Sequence, residues 1–266
     1  MELMKTRNLR YGYNKHMVLD GVDVEIRRGE ILGILGLNGC GKTTLLRNLN
    51  RNLSPNSGCV MLDGSDIAEM TKKDIAKRVA VVPQTNEINF AFTVRDIVSM
   101  GRMPFQGMMS GCSTEDEKII DRALEQTGLT KYADRDISGM SGGERQRVII
   151  ARAIAQTPDV LLMDEPTLHL DINMQFEVLD LVKELSIKNN LTVGIVSHDL
   201  PMVARYCDRM ILIKDHIIYA EGKPEDVLTP ENMREVFGID ACFEVDERGM
   251  NTVRLYGAYR PEREDH

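Results

Sequence analysis

The chain has 266 residues and a formal net charge of -8, a length that suits one large α/β domain with a sizeable core. The acidic balance lacks the basic footprint that unassisted binding to nucleic acid or anionic lipid requires, so we expect no nucleic-acid partner. No apolar run approaches the roughly 20 residues that span a bilayer, and the N-terminus lacks a signal-peptide core, which predicts a cytoplasmic protein. The chain has five cysteines, an odd number, and no two of them form a C-x-x-C pair, so we expect reduced, unpaired thiols.

The first elements of the chain surround a glycine-rich loop. Residues 3–26 are predicted to form two β segments around a polar turn at Asn14 and Lys15. The apolar run at 31–35 is typical of a buried strand, and residues 44–49 have helical character. Between these two elements, the nucleotide loop (residues 36–43) reads Gly-Leu-Asn-Gly-Cys-Gly-Lys-Thr and matches the pattern G-x-x-x-x-G-K-[ST].

This loop predicts a binding site for a nucleoside triphosphate. Glycine lets the backbone curl closely enough for successive N–H groups to point at phosphate oxygens, and the helix N-terminus behind the loop favours the same charge. In this pattern Lys42 reaches the β- and γ-phosphates, and the Thr43 hydroxyl takes a Mg²⁺ position. A GTPase is not expected, because the chain has no N-K-x-D string for reading guanine.

The rest of the chain alternates strand and helix signals, with one helical interruption. Residues 93–138 lose their β-branched runs and take helical spacing after a cap at Ser113 or Thr114, which predicts a helical insertion. A short polar helix is predicted at 67–77. Further strands are predicted at 60–62, 79–82, 160–163, 192–196 and 210–213, with a long helix between 163 and 192. This alternation implies a mostly parallel sheet that is covered on both faces.

Two more stretches carry candidate functional residues. Asp164 and Glu165 follow an apolar strand, at the sheet edge where ligands gather in α/β folds. Asp164 is placed to hold Mg²⁺ directly or through water, and Glu165 to polarise the water that attacks the γ-phosphate. Ser141, Gly142 and Gly143 precede a helix, so their hydroxyl and backbone N–H groups predict a second anion site. Taken alone, that Ser-Gly-Gly stretch would be a capping turn.

Together, the nucleotide loop, the acidic pair and the Ser-Gly-Gly stretch (residues 141–143, here called the signature) resemble the nucleotide-binding subunit of ABC transporters. The resemblance covers residues 3–228. It implies an α/β P-loop NTPase fold of the ABC ATPase type, with a mostly parallel core sheet, an N-terminal antiparallel β region and a helical insertion subdomain. The single domain, 1–266, is then expected to comprise a RecA-like core with the β region (1–92 and 139–228), a helical subdomain (93–138) and a C-terminal appendage (229–266).

The resemblance also implies roles for individual residues. Tyr13 is similar to the aromatic residue that stacks on adenine, with Tyr11 as the competing candidate. Gln84 matches the glutamine that senses Mg²⁺ and the attacking water and links to the membrane partner, His198 matches the histidine that contacts the γ-phosphate, and Asp171 matches the loop that crosses to the other subunit. The expected catalytic residues are Glu165, His198 and Gln84, and the expected metal ligands are Thr43, Gln84 and Asp164. The expected ATP contacts are Tyr13, Gly36, Asn38, Gly39, Cys40, Gly41, Lys42, Thr43, Thr44, Ser141, Gly142, Gly143 and Asp171.

Four positions depart from the family pattern. Met140 and Glu144 replace the commoner Leu and Gln beside the signature. Cys40 stands where Ser is usual, although its side chain need not touch phosphate. His216 occupies a hairpin position where Gly is frequent, and His tolerates positive φ better than most residues.

The resemblance implies that the signature completes an ATP site in trans, so that two copies of the chain sandwich two ATP molecules. Closure and reopening of this dimer would drive integral membrane permease subunits and, indirectly, an extracytoplasmic substrate-binding protein, with the ATPase at the cytoplasmic face of the membrane. The strings at 101–104 and 165–171 look most like importers of iron chelates, haem and cobalamin, although Leu168 stands where that subgroup usually has Ser.

Two alternatives stay open at this point. The first is a soluble ABC-type ATPase of iron–sulfur cluster assembly, which recovery with soluble scaffold proteins alone would support. The second concerns the methionine-rich residues 100–109, which are candidates both for contact with a membrane subunit and for packing within the helical insertion.

Overall fold

A central parallel sheet and an N-terminal antiparallel sheet form the core of the computed structural model, which describes residues 2–14, 16–84, 91–107 and 111–260. The antiparallel sheet comprises β1 (Glu2–Tyr13), β2 (His16–Val22), β3 (Glu25–Arg27), β5 (Ser57–Leu62) and β6 (Ser65–Asp66). The central sheet has the spatial order β11 (Ile217–Gly222), β10 (Arg209–Lys214), β4 (Ile31–Gly36), β9 (Thr192–Val196), β8 (Val160–Asp164) and β7 (Val79–Val82). Its strands pair in parallel except for β11, which is antiparallel to β10.

The helices pack on the central sheet, on one another or on the C-terminal segment. They are α1 (Lys42–Leu49), α2 (Lys72–Arg78), α3 (Val94–Ser99), α4 (Thr114–Gln126), α5 (Gly142–Ala155), α6 (Ile172–Asn189), α7 (Leu200–Tyr206), α8 (Pro224–Val227) and α9 (Pro230–Asn232). Short 3₁₀ segments lie at Met100–Phe105, Thr130–Tyr132 and Ile137–Gly139, and a π-helical turn at Met233–Phe237. Within the described ranges, no helix combines the length and the apolarity that crossing a bilayer requires.

Strand β4 separates two apolar clusters because successive side chains of a strand point to opposite faces. Its Ile31 and Leu35 are buried with the helical side of the molecule. Its Leu32 and Ile34 are buried against the antiparallel sheet and α1. The predicted burial of this strand on both faces is therefore confirmed.

The helix predicted at 67–77 is wrong in its first half, since α2 begins only at Lys72. Thr71 caps α2 by accepting a hydrogen bond from the Asp74 N–H (3.1 Å). The preceding residues form a turn that the Arg51 guanidinium holds through the carbonyls of Ala68 and Met70. The turn and the helix have similar polar compositions, so composition alone could not show where α2 begins.

The segment after β10 forms an edge strand that was not predicted, β11. The connecting turn places Asp215 at φ 47° and His216 at φ 72°, as a two-residue hairpin turn requires. The His216 carbonyl accepts a hydrogen bond from the Asp20 N–H (2.9 Å), which ties this hairpin to β2.

The C-terminal segment is a hairpin of β12 (Ile239–Val245) and β13 (Asn251–Ala258). Its Ala241 and Val253 are buried in the same cluster as Met202 and Tyr206 of α7. The hairpin therefore packs on the core, and residues 261–266 of the expected C-terminal appendage lie outside the described part of the chain.

A buried ion pair holds the 3₁₀ segment Met100–Phe105 to α4. The Arg102 Nε lies 2.8 Å from Asp116 Oδ1, and the two side chains are only 6% and 11% exposed. Arg102 also donates to the Ala155 carbonyl (2.8 Å). Ser113, rather than Thr114, caps α4 through a capping box with Asp116. The Ser113 backbone N–H and the Arg102 guanidinium lower the pKa of Asp116 to about 2.

Replacing Asp116 by Asn should lower the free energy of unfolding by about 3 kcal/mol, because Arg102 would remain buried without its counter-charge. Asp121, an exposed residue on α4 paired with Arg95, supplies the matched control, and D121N should cost less than about 1 kcal/mol. Urea unfolding at neutral pH measures both.

The Arg102–Asp116 ion pair should also make the free energy of unfolding depend on pH in the acid range. Since the folded-state pKa of Asp116 is depressed, its contribution is present above about pH 4 and is lost as the pH falls towards 2. D116N should lack this step, and an unchanged acid profile would contradict the role given to the pair.

Candidate nucleotide-binding site

The nucleotide loop joins the buried strand β4 to α1. Gly41 has φ 110°, and a Cβ built on it would lie 2.7 Å from the Val18 carbonyl oxygen. A Cβ on Gly36 would lie 2.4 Å from the Ile213 carbonyl oxygen. Only glycine fits these two positions, because a side chain would collide with backbone that cannot move away.

Lys42 is buried inside this loop. Its Nζ donates hydrogen bonds to the carbonyls of Gly36 (2.8 Å) and Leu37 (2.9 Å). An ammonium group has three donors, so among the contacts of the described residues one donor is left for an anion. The arrangement fixes a positive charge beside the first turn of α1.

Thr43 and Asp164 connect the loop to the end of β8. The Thr43 hydroxyl lies 3.1 Å from Asp164 Oδ1. Burial raises the pKa of the Asp164 carboxyl, and the neighbouring Glu165 charge adds to this, whereas the Thr43 hydrogen bond opposes it. A cation bound at this pair would favour the ionised carboxylate.

Glu165 and His198 form a second polar pair at the same edge of the sheet. The His198 Nδ1 lies 3.0 Å from Glu165 Oε2. Glu165 has φ 48°, a conformation that non-glycine residues rarely adopt, and its N–H donates to the Val196 carbonyl (2.9 Å). Because β8 and β9 are parallel neighbours, the residues that follow them meet at one edge.

A cavity of about 340 Å³ opens over the nucleotide loop. Tyr13 lies at its wall, 43% exposed, and its ring stands edge-on to Tyr11 at 5.0 Å between ring centroids. Tyr11 instead packs against the cluster of the antiparallel sheet. The cavity is lined by Tyr13, Val18, Asn38, Gly39, Gly41, Lys42, Thr43, Thr44, Gln84 and Glu165.

Val18 was not among the predicted site residues. It lies in β2, and its carbonyl oxygen lies so close to Gly41 that a Cβ added there would meet it at 2.7 Å. The alternation of apolar residues in the sequence marked it as a strand residue, but nothing local to it signalled the loop. Its contribution is a tertiary contact.

The signature does not line this cavity in the described part of the chain. Ser141 caps α5, with Ser141 Oγ accepting from the Glu144 N–H (3.3 Å) and Glu144 Oε2 accepting from the Ser141 N–H (2.9 Å). The latter hydrogen bond lowers the pKa of Glu144. Ser141 and Gly142 are exposed, and so is Asp171, the N-cap residue of α6. One copy of the chain therefore presents the predicted ATP contacts on two separate surfaces.

Cys40 is directed to the inside of the loop. Its Sγ would lie 2.6 Å from a Cβ on Gly36, and the residue packs partly buried against the cluster of the antiparallel sheet. Burial raises the pKa of its thiol, although Lys42 opposes the shift. Replacing the usual Ser by Cys therefore alters the support of the loop and leaves the cavity wall unchanged.

The donor set at Thr43 and Asp164 suits Mg²⁺. Hydroxyl and carboxylate oxygens are the ligands this ion prefers, and it usually keeps few protein ligands beside phosphate and water. In the described ranges no group of three or more His, Cys, Asp or Glu side chains gathers as a metal cage would require. The residues present thus fit an ion bound together with a nucleotide, and they do not fit a resident structural metal.

Comparison with known proteins defines the class. The ABC transporter family model matches residues 19–168, more than half of the chain, and the chain belongs to this family. It is 41% identical over 243 residues to the petrobactin import ATP-binding protein FpuD of Bacillus anthracis, covering 91% of this chain and 89% of that protein. It is 40% identical over 265 residues to the iron(3+)-hydroxamate import ATP-binding protein FhuC of Bacillus subtilis, covering 99% and 98%.

A solved structure has the same fold as this chain. The fold matches a chain of a transporter described as metal-chelate type, in an inward-facing conformation, with a TM-score of 0.85, 28% identity and coverage of 96% of this chain and 98% of that one. The predicted family and the α/β fold with a parallel core sheet and an antiparallel β region are confirmed. The chain is an ATP-binding protein of the ABC type, and members of this class are ATPases coupled to transport.

Alkylation of Cys40 should inhibit ATP hydrolysis, and ATP bound beforehand should protect, because the added group would crowd the closely packed loop. Because burial raises the pKa of this thiol, the reaction should be slow at neutral pH and should keep accelerating with pH beyond the ordinary pKa of a cysteine thiol. Turnover after iodoacetamide treatment measures the effect. Cys40→Ser is the control that isolates this thiol from the other four, and an alkylated wild type with full turnover would contradict the prediction.

Proposed function

We propose that this protein is the ATP-hydrolysing subunit of an importer for a metal chelate or corrinoid, the class that includes iron siderophores, haem and cobalamin. The observation that carries the ATPase part is the line of side chains at one sheet edge, from Lys42 and Thr43 through Asp164 to the Glu165–His198 pair. The substrate class rests on relatives that are named for petrobactin and iron(3+)-hydroxamate import. A cobalamin import ATP-binding protein of Halobacterium salinarum is 42% identical over 83% of this chain and 55% of that protein.

In the proposed reaction, Lys42 and the backbone N–H groups of the nucleotide loop hold the β- and γ-phosphates. Glu165 accepts the proton that the attacking water releases. His198 is oriented by its 3.0 Å contact with Glu165, and its side chain is 56% exposed, so the ring would be available to contact the γ-phosphate of a bound nucleotide. Tyr13 supplies the surface on which adenine stacks, which its position at the cavity wall supports better than the packed position of Tyr11.

Mg²⁺ would be held by Thr43 and Asp164, with Gln84 at the rim of the cavity. When bound, the ion offsets the negative charge that develops on the phosphate oxygens. Gln84 follows Pro83 just beyond the end of β7, is exposed and lines the cavity, a position from which its amide could meet the ion or the water.

We further infer that two copies act together. Ser141 and Gly142 of the signature are exposed at the N-terminus of α5, and the signature does not line the cavity of its own chain in the described part of the structure. Its Ser141 hydroxyl and backbone N–H groups are suited to a phosphate approaching from outside. A second copy placing its own ATP there, with Asp171 beside the crossing point, would complete two sites at once.

A groove of about 560 Å³ offers a docking surface for the permease subunits. One wall is helical, formed by Met100, Met103 and Pro104, and the other includes Val79 and Val81 of β7. Met103 is 64% exposed. Because β7 runs from this groove to Pro83 and Gln84, a partner seated there would act on the nucleotide cavity through four residues of strand. We propose that the protein acts at the cytoplasmic face of the membrane, bound to the permease subunits, and that the permease in turn receives substrate from an extracytoplasmic binding protein.

The alternative role in iron–sulfur cluster assembly is not favoured. The petrobactin and iron(3+)-hydroxamate relatives are named import ATP-binding proteins and match this chain over 89% and 98% of their own length, and the matched solved structure is described as a metal-chelate type transporter. Copurification of this protein with an integral membrane subunit would support the import function, whereas copurification only with soluble scaffold proteins would contradict it.

Glu165→Gln should slow ATP hydrolysis by at least about 100-fold, because the amide cannot take the proton from water. ATP binding should persist, and the variant should accumulate as a dimer in ATP, seen by gel filtration. Glu184→Gln, a change at an exposed α6 residue that pairs with Lys188, is the matched control. A wild-type rate in E165Q would falsify the role given to this carboxylate.

Met103→Asp should abolish recovery of the protein with its permease subunits, since a charge would be buried in the groove. The ATPase rate of the isolated protein should not change. Ile187→Asp, at an exposed position on α6, controls for an added surface charge. Copurification from detergent-solubilised membranes measures the effect, and equal recovery of both variants would exclude the groove as the docking surface.

A further inference from the structure

The signature rests on α6 through one close contact. Gly143 is buried, and a Cβ built on it would lie 2.5 Å from Met174 Sδ and 3.2 Å from Met174 Cβ. Met174 thus fills the space that only a glycine leaves open. Gly142 differs, since its Cβ would meet the Leu170 side chain at 3.4 Å, an ordinary contact distance.

Met174 is joined to Glu165 by a short segment of defined shape. The Leu168 N–H donates to the Glu165 carbonyl (3.1 Å), and the Leu170 N–H donates to the Thr167 carbonyl (3.2 Å). Glu165 has φ 48° and His169 has φ 63°. Two such conformations in non-glycine residues persist only where the surroundings fix them, so this segment has two well-defined bends and little slack.

A second contact between the same helices keeps α5 and α6 together. The Arg147 guanidinium of α5 pairs with the Glu177 carboxylate of α6. Asn173 of α6 donates to the other oxygen of Glu177 (2.8 Å). The N-terminal turns of the two helices are therefore linked by an apolar contact and by an ion pair.

We propose that Met174 is a positioning residue that couples the two ATP sites of the dimer. It transmits the position of Glu165 to Gly143 within one chain. This inference rests on the proposed function, in which Glu165 of one copy serves one ATP and the signature of that copy serves the other ATP. A shift of Glu165 during hydrolysis moves the start of α6, and Met174 then moves the signature that faces the second nucleotide.

The test is a compensation series in the full-length protein. It comprises Gly143→Ala, Met174→Ala and the double variant, with Gly142→Ala alone and combined with Met174→Ala as the matched control. G143A should lower ATP turnover by about tenfold or more, because its methyl group collides with Met174 and tilts the signature. Adding M174A should recover at least about fivefold, and in the G142A background it should recover nothing.

Met174→Ala alone should lower the Hill coefficient for ATP hydrolysis towards one. The affinity of the cavity for a fluorescent ATP analogue should stay unchanged, and Met174→Leu should restore the Hill coefficient because it keeps the side-chain volume. A purely structural role would lower the melting temperature without changing the Hill coefficient, and that result would overturn the proposal. Absence of recovery in the double variant, or equal recovery with G142A, would also overturn it.

Failure of the dimeric function would be recognised separately. A wild-type protein that hydrolyses ATP as a monomer would refute the two-copy site itself. The Gly143–Met174 contact can then still be tested by melting temperature. Adding M174A should raise the melting temperature of the G143A variant and should not raise that of the G142A variant. A melting series without this compensation would refute the contact on its own.

Discussion

Parallel pairing of three buried strands is the constraint on which the site depends. Strand β9 lies between β4 and β8, with Val196 opposite both Ile34 and Asp164. Each strand is buried on both faces, so its register cannot slip without exposing apolar side chains. The residues that follow the three strands are therefore delivered to one edge, although they lie far apart in the sequence. The proposed contacts to phosphate, metal and water depend on that register.

The polar groups at this edge differ in how firmly they are held. Lys42 is buried and bonded to two carbonyls, and Asp164 is bonded to Thr43. Tyr13 and Gln84 are exposed at the rim. The groups proposed to meet phosphate are thus pre-organised, which would lower the cost of orienting them during reaction. The groups proposed to meet the base and the permease are the exposed ones.

Local patterns predicted the strands around the site well. The burial of β4 and the position of β7 followed from short apolar runs, because four to six consecutive apolar residues are typical of a buried strand and too few for a helix. The start of α2 and the strand β11 were not predicted, since turn and helix share polar composition and β11 alternates only weakly. Of the candidate site, the cavity lining brings together most of the loop residues with Gln84 and Glu165. The contribution of Val18 and the seating of Gly143 on Met174 are tertiary contacts, which a linear pattern does not contain.

The pairing of β4 also bears on how the protein is made. Both neighbours of β4 in the sheet, β9 and β10, come from the last third of the chain. Contacts between such distant segments form late, because the loop between them must be closed first. During synthesis the nucleotide loop is therefore translated early but lacks its supporting strands until residue 214 has emerged. The chain can therefore bind ATP only after the core is complete, and a truncated chain that ends before β10 would not bind ATP.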